Sequence, residues 1–351
     1  VGLAERMGLS RASLSRLSRE LVDLGFVIEG DSHLRTSRGR PAEMLHLRPE
    51  AAAFVGIKLT GDALYGVLLD LEANLVDERE YSLASTDPHA VVALIASTTA
   101  ELLGSRGLPA AIGVGLAGDV LRTGDDEVVE RSNFLGWTGA VPLRSMIEQA
   151  TGLRASITND VHALAGAHHW FGGGDADAQS LVVYGLGAGI GSGVVIDGLL
   201  MEGAHGRSGR IGHTRIGGAG ISCDNGHRDC VHSFVTMSAI ARNAGLAPDD
   251  YAGAVAGAAG DDPRCVAAFR QAAYALGAVV SESVNAFDPE VVSIMGEGVH
   301  MVGIAPDELR RGLAEHLEQL SPDDVRIELP PFHFGLYARG AAVNAMRNIL
   351  S

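Results

Sequence analysis

Leu14, Leu17, Leu21 and Leu24 recur at steps of three and four residues, the spacing that turns one side of a helix toward a core. Ser10 stands just ahead of this run as an N-cap, and Gly8 ends a shorter helical pattern over residues 3–8, so a tight turn separates two helices, the second running over residues 11–24. Phe26-Val27-Ile28-Glu29 then reads as a strand, residues 36–41 as a turn and Met44-Leu45-His46-Leu47 as the returning strand. From residue 53 the pattern changes. Apolar runs at 54–59, 64–69, 74–81, 111–116, 155–158, 180–186, 193–196 and 291–295 predict strands. Helical patterns cover 88–105 and begin near Pro142, Val161, Asp262 and Pro306. Strands and helices in alternation predict an α/β body behind the small N-terminal head.

Composition adds the compartment. The 351 residues are 46% hydrophobic and 20% charged, ordinary for a water-soluble chain of two or three domains. No run of about eighteen apolar residues occurs and no export signal opens the chain, which excludes a membrane span and points to the cytoplasm. Three cysteines are too few for a disulfide framework and fit a reducing compartment. Lys58 is the sole lysine, and the arginine bias with abundant Ala and Gly points to a bacterial genome rich in G and C.

The net charge of −16 argues against nucleic acid until it is divided. Residues 1–50 carry eight arginines against seven acids, leaving 19 cations against 36 acids in the remainder. An acidic body carries a relatively basic head, and local charge governs phosphate contact more than the total does. A helix, a glycine turn and a second helix with a polar start form the helix-turn-helix layout. With the strand pair behind it, the head resembles the winged helix-turn-helix of repressors. Ser10, Arg11, Ser13, Ser15 and Arg16 are the candidate DNA contacts on the second helix. Arg38-Gly39-Arg40-Pro41 resembles an AT-hook core, placing Arg38 and Arg40 to enter a narrow A·T minor groove. Such a head has a further helix before the one at Leu3, and the chain starts at Val1, so the first helix is expected to be missing. The bland alternative is a small structural bundle with a solvated arginine face.

The densest chemistry lies between Gly203 and His232. His213, Cys223 and Cys230 supply three nitrogen or thiolate donors on a glycine-rich loop, and zinc takes four in a tetrahedron. His227, Asp224, Asn225 or water is left for the fourth place, His227 being the better donor. Two buried cysteines packing beside a core histidine is the alternative.

This stretch resembles the signature of the ROK family of repressors, uncharacterised frames and sugar kinases, Glu-x-Gly-His followed after nine residues by Cys-x-Cys-Gly-x-x-Gly-Cys-x-Glu. Gly212, His213, Cys223, Gly226 and Cys230 match, whereas Arg210, Asn225, Asp229 and His232 depart. The resemblance spans essentially the whole chain. It implies an actin-like ATPase (RNase H-like) body of two lobes. Residues 1–48 would be the head, 49–160 with 326–351 the first lobe, closed by a C-terminal helix over 335–350, and 161–325 the second lobe, carrying the zinc-knuckle loop and an oligomerisation surface.

The resemblance also locates a cleft. The kinases of the family open their first phosphate turn with Asp-x-Gly-Gly-Thr, and Lys58-Leu59-Thr60-Gly61-Asp62 stands there, so the aspartate that helps hold magnesium is gone. The second phosphate loop is better kept as Gly185-Leu186-Gly187-Ala188-Gly189-Ile190-Gly191-Ser192-Gly193, with Ala188 in place of threonine, and Gly296-Glu297-Gly298 resembles the late turn near adenosine. These glycines equally serve as plain tight turns. ATP binding is therefore expected to be lost or weak, and no catalytic residue is assigned.

On the sugar side, Asn133-Phe134-Leu135-Gly136-Trp137 resembles Asn-Leu-x-Gly-Trp. Thr158-Asn159-Asp160-Val161 resembles Asn-Asp-Ala, with Asp160 at the position of the kinases' general base. Asn133, Asn159, Asp160, Arg210, His213 and His232 are the expected ligand contacts, with Asn159 alternatively a helix cap. Arg210 and His232 each replace a glutamate, which favours an anionic sugar derivative over a neutral hexose, unless the pocket has degenerated.

The sequence thus reads as a cytoplasmic ROK-type transcription regulator, a repressor of operator DNA that assembles as a homodimer or homotetramer and senses a small carbohydrate-like ligand. A sugar kinase with an appended head, using Asp160 as base, and an effector-independent DNA-binding scaffold are the alternatives.

Overall fold

The structure, a computed structural model, describes residues 4, 7–33, 42–106, 110–123, 126–171, 178–218 and 220–350. Residues 3, 5 and 6 of the helix expected over 3–8 fall outside them, as does the whole 36–41 turn with Arg38 and Arg40.

In the head, Gly8 takes a left-handed φ of 61° and the chain enters α1 (Arg11–Asp23) through Ser10, whose hydroxyl accepts from the Ser13 amide at 3.1 Å. Gly25, at φ 77°, ends the helix and delivers the antiparallel pair β1 (Val27–His33) and β2 (Ala42–Leu47), whose register shifts between Glu29 and Ser32. One expectation fails here. The leucine stripe faces no core: α1 has no buried residue, and Leu17, Leu21 and Leu24 are exposed. The reason is that β1 is its packing neighbour among the described elements, and one strand pair cannot cover a stripe three turns long.

The body repeats one plan twice. The first sheet is built from β3 (Ala53–Leu59), β4 (Ala63–Asp70), β5 (Leu75–Ser82), β6 (Ala110–Leu116) and β9 (Arg154–Asn159), in the order β5-β4-β3-β6-β9. Strands β3 to β5 pair antiparallel, whereas β6 and β9 add parallel to β3. Between these come α2 (Pro88–Leu103), the hairpin β7 (Asp119–Thr123) and β8 (Asp126–Arg131), and α3 (Leu143–Thr151). Helix α4 (Asp160–Phe171) leads into the second sheet. That sheet comprises β10 (Leu181–Leu186), β11 (Ile190–Ile196), β12 (Leu199–Leu200), β13 (Val291–Met295) and β14 (Ile327–Glu328), ordered β12-β11-β10-β13-β14. Its strands are antiparallel on one side of β10 and parallel on the other, as in the first sheet. Helices α5 (His232–Val235), α6 (Met237–Asn243), α7 (Tyr251–Ala259), α8 (Pro263–Phe287), α9 (His300–Ile304) and α10 (Pro306–His316) lie in this half, and α11 (Gly335–Leu350) ends the described chain. The fold is α/β with two sheets.

Each sheet is covered on both faces, which is why β3, β10 and β13 are buried end to end and read as continuous apolar runs. Helices α2 and α3 bury Ile95, Leu143 and Ile147 against the first sheet, and Phe269, Leu276 and Val280 of α8 fill the corresponding core of the second. The opposite faces meet in the middle. Helix α11 lies on the first sheet so closely that a Cβ on Gly56 or Gly113 would fall 1.9 Å or 1.8 Å from the carbonyl oxygens of Ala338 and Ala341. Glycine is required at both places, since no side chain fits between strand and helix backbone. Helix α4 lies on the second sheet through Val161, Leu164 and Ala165. The two helices touch at Gly340, where a Cβ would approach Ala163 O to 2.6 Å, so both halves share one contact of small residues. Among the described residues no helix is long and apolar enough to cross a membrane.

Candidate functional site

A cleft of about 810 Å³ opens between the two sheets, lined from both. Strand β3 ends in it at Lys58, and β9 and α4 bring Asn159 and Asp160 to the same depth. The Lys58 ammonium donates to Asp160 Oδ2, both side chains being buried. It also sits 4.7 Å from the Tyr337 ring centroid, a cation–π distance. The other Asp160 oxygen accepts from the Val161 amide at 2.9 Å. Burial, with Asp160 and Glu297 as further causes, raises the Tyr337 phenol well above its ordinary range.

The expected first phosphate turn is closed by its own side chains. Thr60 Oγ1 accepts from the Ala63 amide at 2.9 Å and donates to Asp62 at 2.9 Å, and a Cβ on Gly61 would lie 2.9 Å from Phe134 O. The second glycine loop faces a carboxylate, because a Cβ on Gly187 would fall 2.5 Å from Glu297 Oε1. Burial raises the Glu297 carboxyl and nearby Lys58 pulls it back. A phosphate approaching this loop would meet a carboxylate, not bare amides.

The sugar-side residues reach the cleft with their polar atoms unequally free. Asn133 lines it, exposed, from the turn after β8. Asn159 is engaged at both ends of its amide: Oδ1 accepts from the Val161 and His162 amides at 3.0 and 3.4 Å, and Nδ2 donates to Gly118 O at 3.2 Å. It is the N-cap of α4 as much as a wall of the cleft. Arg210 lines the cleft but pairs with Asp119 of β7, so its charge is already answered. Burial is the largest cause lowering the pKa of His213 and His232, and the neighbouring His227 imidazole adds to it in both. Arg210, His213 and His232 all line the cleft, as expected, with the Arg210 guanidinium turned to Asp119.

Several groups were not singled out from the sequence. Arg131 lines the cleft with no carboxylate within ion-pair reach among the described residues. His162 is buried one residue beyond Val161 and contacts Ser208 O at 3.0 Å. Three ion pairs bridge the halves on one side of the mouth: Arg210 with Asp119, Arg207 with Glu130 and Arg122 with Glu202, the last at 3.3 Å. All join the β7–β8 hairpin to residues 202–210.

The knuckle follows directly. His213 Nδ1 stands 3.8 Å from Cys223 Sγ and 3.6 Å from Cys230 Sγ, and the three donor atoms lie within 4.8 Å of one another. Zinc bonds of about 2.3 Å to sulfur and 2.05 Å to nitrogen at the tetrahedral angle put those atoms about 3.5 Å apart, so the donor set fits. His227 Nδ1 approaches Cys223 Sγ to 3.7 Å, and Asn225 instead contacts His213 Nε2 at 3.1 Å. Asp229, which departs from a glycine in the signature, keeps a left-handed φ of 53° and its carboxylate accepts from Gly220 and Ile221. Asp tolerates this region better than most residues.

The family model described as "ROK family" matches residues 54–346. A protein named xylose repressor from Caldicellulosiruptor bescii is 26% identical, covering 83% of this chain and 77% of its own. A glucokinase from Halalkalibacterium halodurans is 28% identical over 76% of this chain and 85% of its own. Among solved structures, a ROK family transcriptional regulator, homolog of the E. coli MLC protein, superposes with a TM-score of 0.82 at 24% identity, covering 98% of this chain and 91% of that one.

Proposed function

The chain belongs to the ROK family, and from that premise we propose that it is a transcriptional repressor whose body senses a sugar or sugar-derived ligand in the cleft and whose head holds operator DNA. The observation that carries this reading is the Lys58–Asp160 pair. A general base must be free to take a hydroxyl proton, and this carboxylate is committed to an ammonium where the family's kinases have an aspartate. The repressor names of relatives support it; a glucokinase relative is the source of the competing enzyme reading.

The head contributes Ser10, Arg11, Ser13, Ser15 and Arg16 from the N-terminal half of α1, with Arg38 and Arg40 from the wing. The arginines Arg11 and Arg16 are exposed, as a phosphate- or base-contacting pair must be. In the cleft, Asn133, Asp119 and Arg131 offer free or exchangeable groups to hydroxyls, while Asn159 and Asp160 shape the floor. A ligand favouring one lobe arrangement would shift the spacing of two heads in a homodimer or homotetramer. The work of such a regulator lies in the cytoplasm, where its operator is. His213, Cys223 and Cys230 would hold a structural zinc, with His227 completing the set; the metal would supply folding free energy to the loop beside the cleft.

Genome-wide capture of DNA by the intact protein, followed by footprinting of the strongest site, tests the reading. A discrete site is expected, with Arg16→Ala weakening it about tenfold and a sugar or sugar acid releasing it. ATP-dependent phosphorylation of a sugar panel with no selective DNA capture would replace the repressor reading with the kinase one; selective DNA binding that no metabolite alters would leave a scaffold.

A further inference from the structure

The cleft has more room than one sugar ring fills. Its volume of about 810 Å³ stands near the upper end of the range for sites that bury drug-sized ligands. Two groups of residues line it on either side of the Lys58–Asp160 floor. In one, Asn159 Nδ2 donates to Gly118 O, next to Asp119, which pairs with Arg210, and Asn133 lies on the same hairpin's exit. In the other, the Met237 amide donates to Gly187 O at 3.0 Å, and a Cβ on Gly187 would touch the Glu297 carboxylate, so helix, glycine loop and late turn enclose one region.

This second region is open to polar contact but not to phosphate. Glu297 is half-buried, and among the described residues only its own amide donates to its carboxylate; Lys58, near enough to pull on it, donates instead to Asp160. One cation therefore faces two carboxylates, and a phosphate would add to the repulsion. Donors are present as well, since the Ala188 and Gly189 amides at the tip of the loop donate to no group among the described residues. Apolar surface comes from Met237 and from Phe334, whose ring is held by stacking on Tyr65 at a centroid distance of 4.9 Å. A free acceptor, free donors and an apolar wall match a neutral polyol, because each hydroxyl both donates and accepts and the carbon skeleton between the hydroxyls packs on apolar side chains.

We propose that the region around Glu297 and the glycine loop is a second sugar subsite, so that the effector is a neutral disaccharide, one ring beside Asn133 and Asp119 and the other against Phe334 with its hydroxyls on Glu297 and the loop amides, an assignment that rests on the cleft being the sugar site. Asn133 belongs to the first half of the body, and Glu297 and the loop belong to the second. Two linked rings thus touch both halves at once, and the length of the ligand is coupled to their spacing.

Calorimetric titration of the full chain with glucose, xylose, cellobiose, maltose and xylobiose tests the second subsite. At least one disaccharide is expected to bind about tenfold or more tightly than its component monosaccharide, the increment of a further hydrogen bond to a charged group. Glu297→Ala should bring that ratio close to one, and Phe334→Leu, which keeps an apolar side chain, should lower it. Magnesium ATP should not displace the disaccharide. A monosaccharide that binds as tightly as every disaccharide, a ratio unchanged in Glu297→Ala, or displacement by magnesium ATP overturns the second subsite and leaves the first sugar site standing. Absence of binding by all five sugars overturns the sugar-sensing reading and the second subsite together.

Discussion

Lys58 and Asp160, 102 residues apart in sequence, form a buried ion pair at the floor of the cleft. Strand β3 ends there and helix α4 begins there, so the contact joins the first strand of the first sheet to the start of the helix that leads into the second. Two buried charges paired with each other make a sensitive point: removing one partner leaves the other short of its main counter-charge, whereas removing both need not.

Lys58→Met is accordingly expected to destabilise the protein by about 3–5 kcal/mol, and the double change Lys58→Met with Asp160→Asn to recover most of that loss. Urea unfolding of the three proteins measures it. Equal losses in the single and double variants would show that the lysine acts through packing on Tyr337 alone.

Acid should weaken the fold through buried histidines. Burial lowers the pKa of His162 and His168 from the ordinary 6.5. In the folded state they bind fewer protons than in the unfolded chain, so stability is full above about 6.5 and falls as pH drops from there toward the depressed folded value. His162→Gln, which can keep a contact to Ser208 O, should flatten the decline between neutral pH and pH 5.5 in a series of thermal melts. A decline of unchanged steepness would exclude His162 as its source.

Much of this was legible in the residues. The apolar runs gave the principal strands because both faces of each sheet are covered, and the signature glycines and cysteines placed the knuckle. The β7–β8 hairpin was not foreseen, since Asp119–Thr123 and Asp126–Arg131 mix charge with single valines and leucines and carry no clean alternation. Partnerships were hidden for a different reason. That Arg210 meets Asp119, 91 residues away, depends on how two halves face each other, which local spacing does not encode. The leucine stripe of α1 is the reverse case, a clear amphipathic pattern whose apolar side is exposed.

The mouth of the cleft should respond to salt. Exposed ion pairs contribute no more than about 1 kcal/mol each and are screened by electrolyte, so Glu130→Ala should hardly change global stability. It should nevertheless broaden the distance distribution between spin labels placed on the β7–β8 hairpin and on residues 202–206, as raised salt does in the parent. Identical distributions in both proteins would mean that packing alone sets the lobe spacing.

Zinc content should follow the donor set. Elemental analysis is expected to find one zinc per chain, lost in Cys230→Ser, with chelation lowering the melting temperature of the parent. His227→Ala should retain zinc less tightly than the parent. Retention equal to the parent's would assign the fourth place to water or Asn225.

The tight seating of α11 on Gly56 and Gly113 sets an order of events during synthesis. The strands of the first half leave the ribosome well before the helix that must cover them, with the entire second sheet translated in between. The first half therefore waits with a bare sheet face while the second can complete its core, and pausing near residue 335 would lengthen the interval in which that apolar face is open to chaperones.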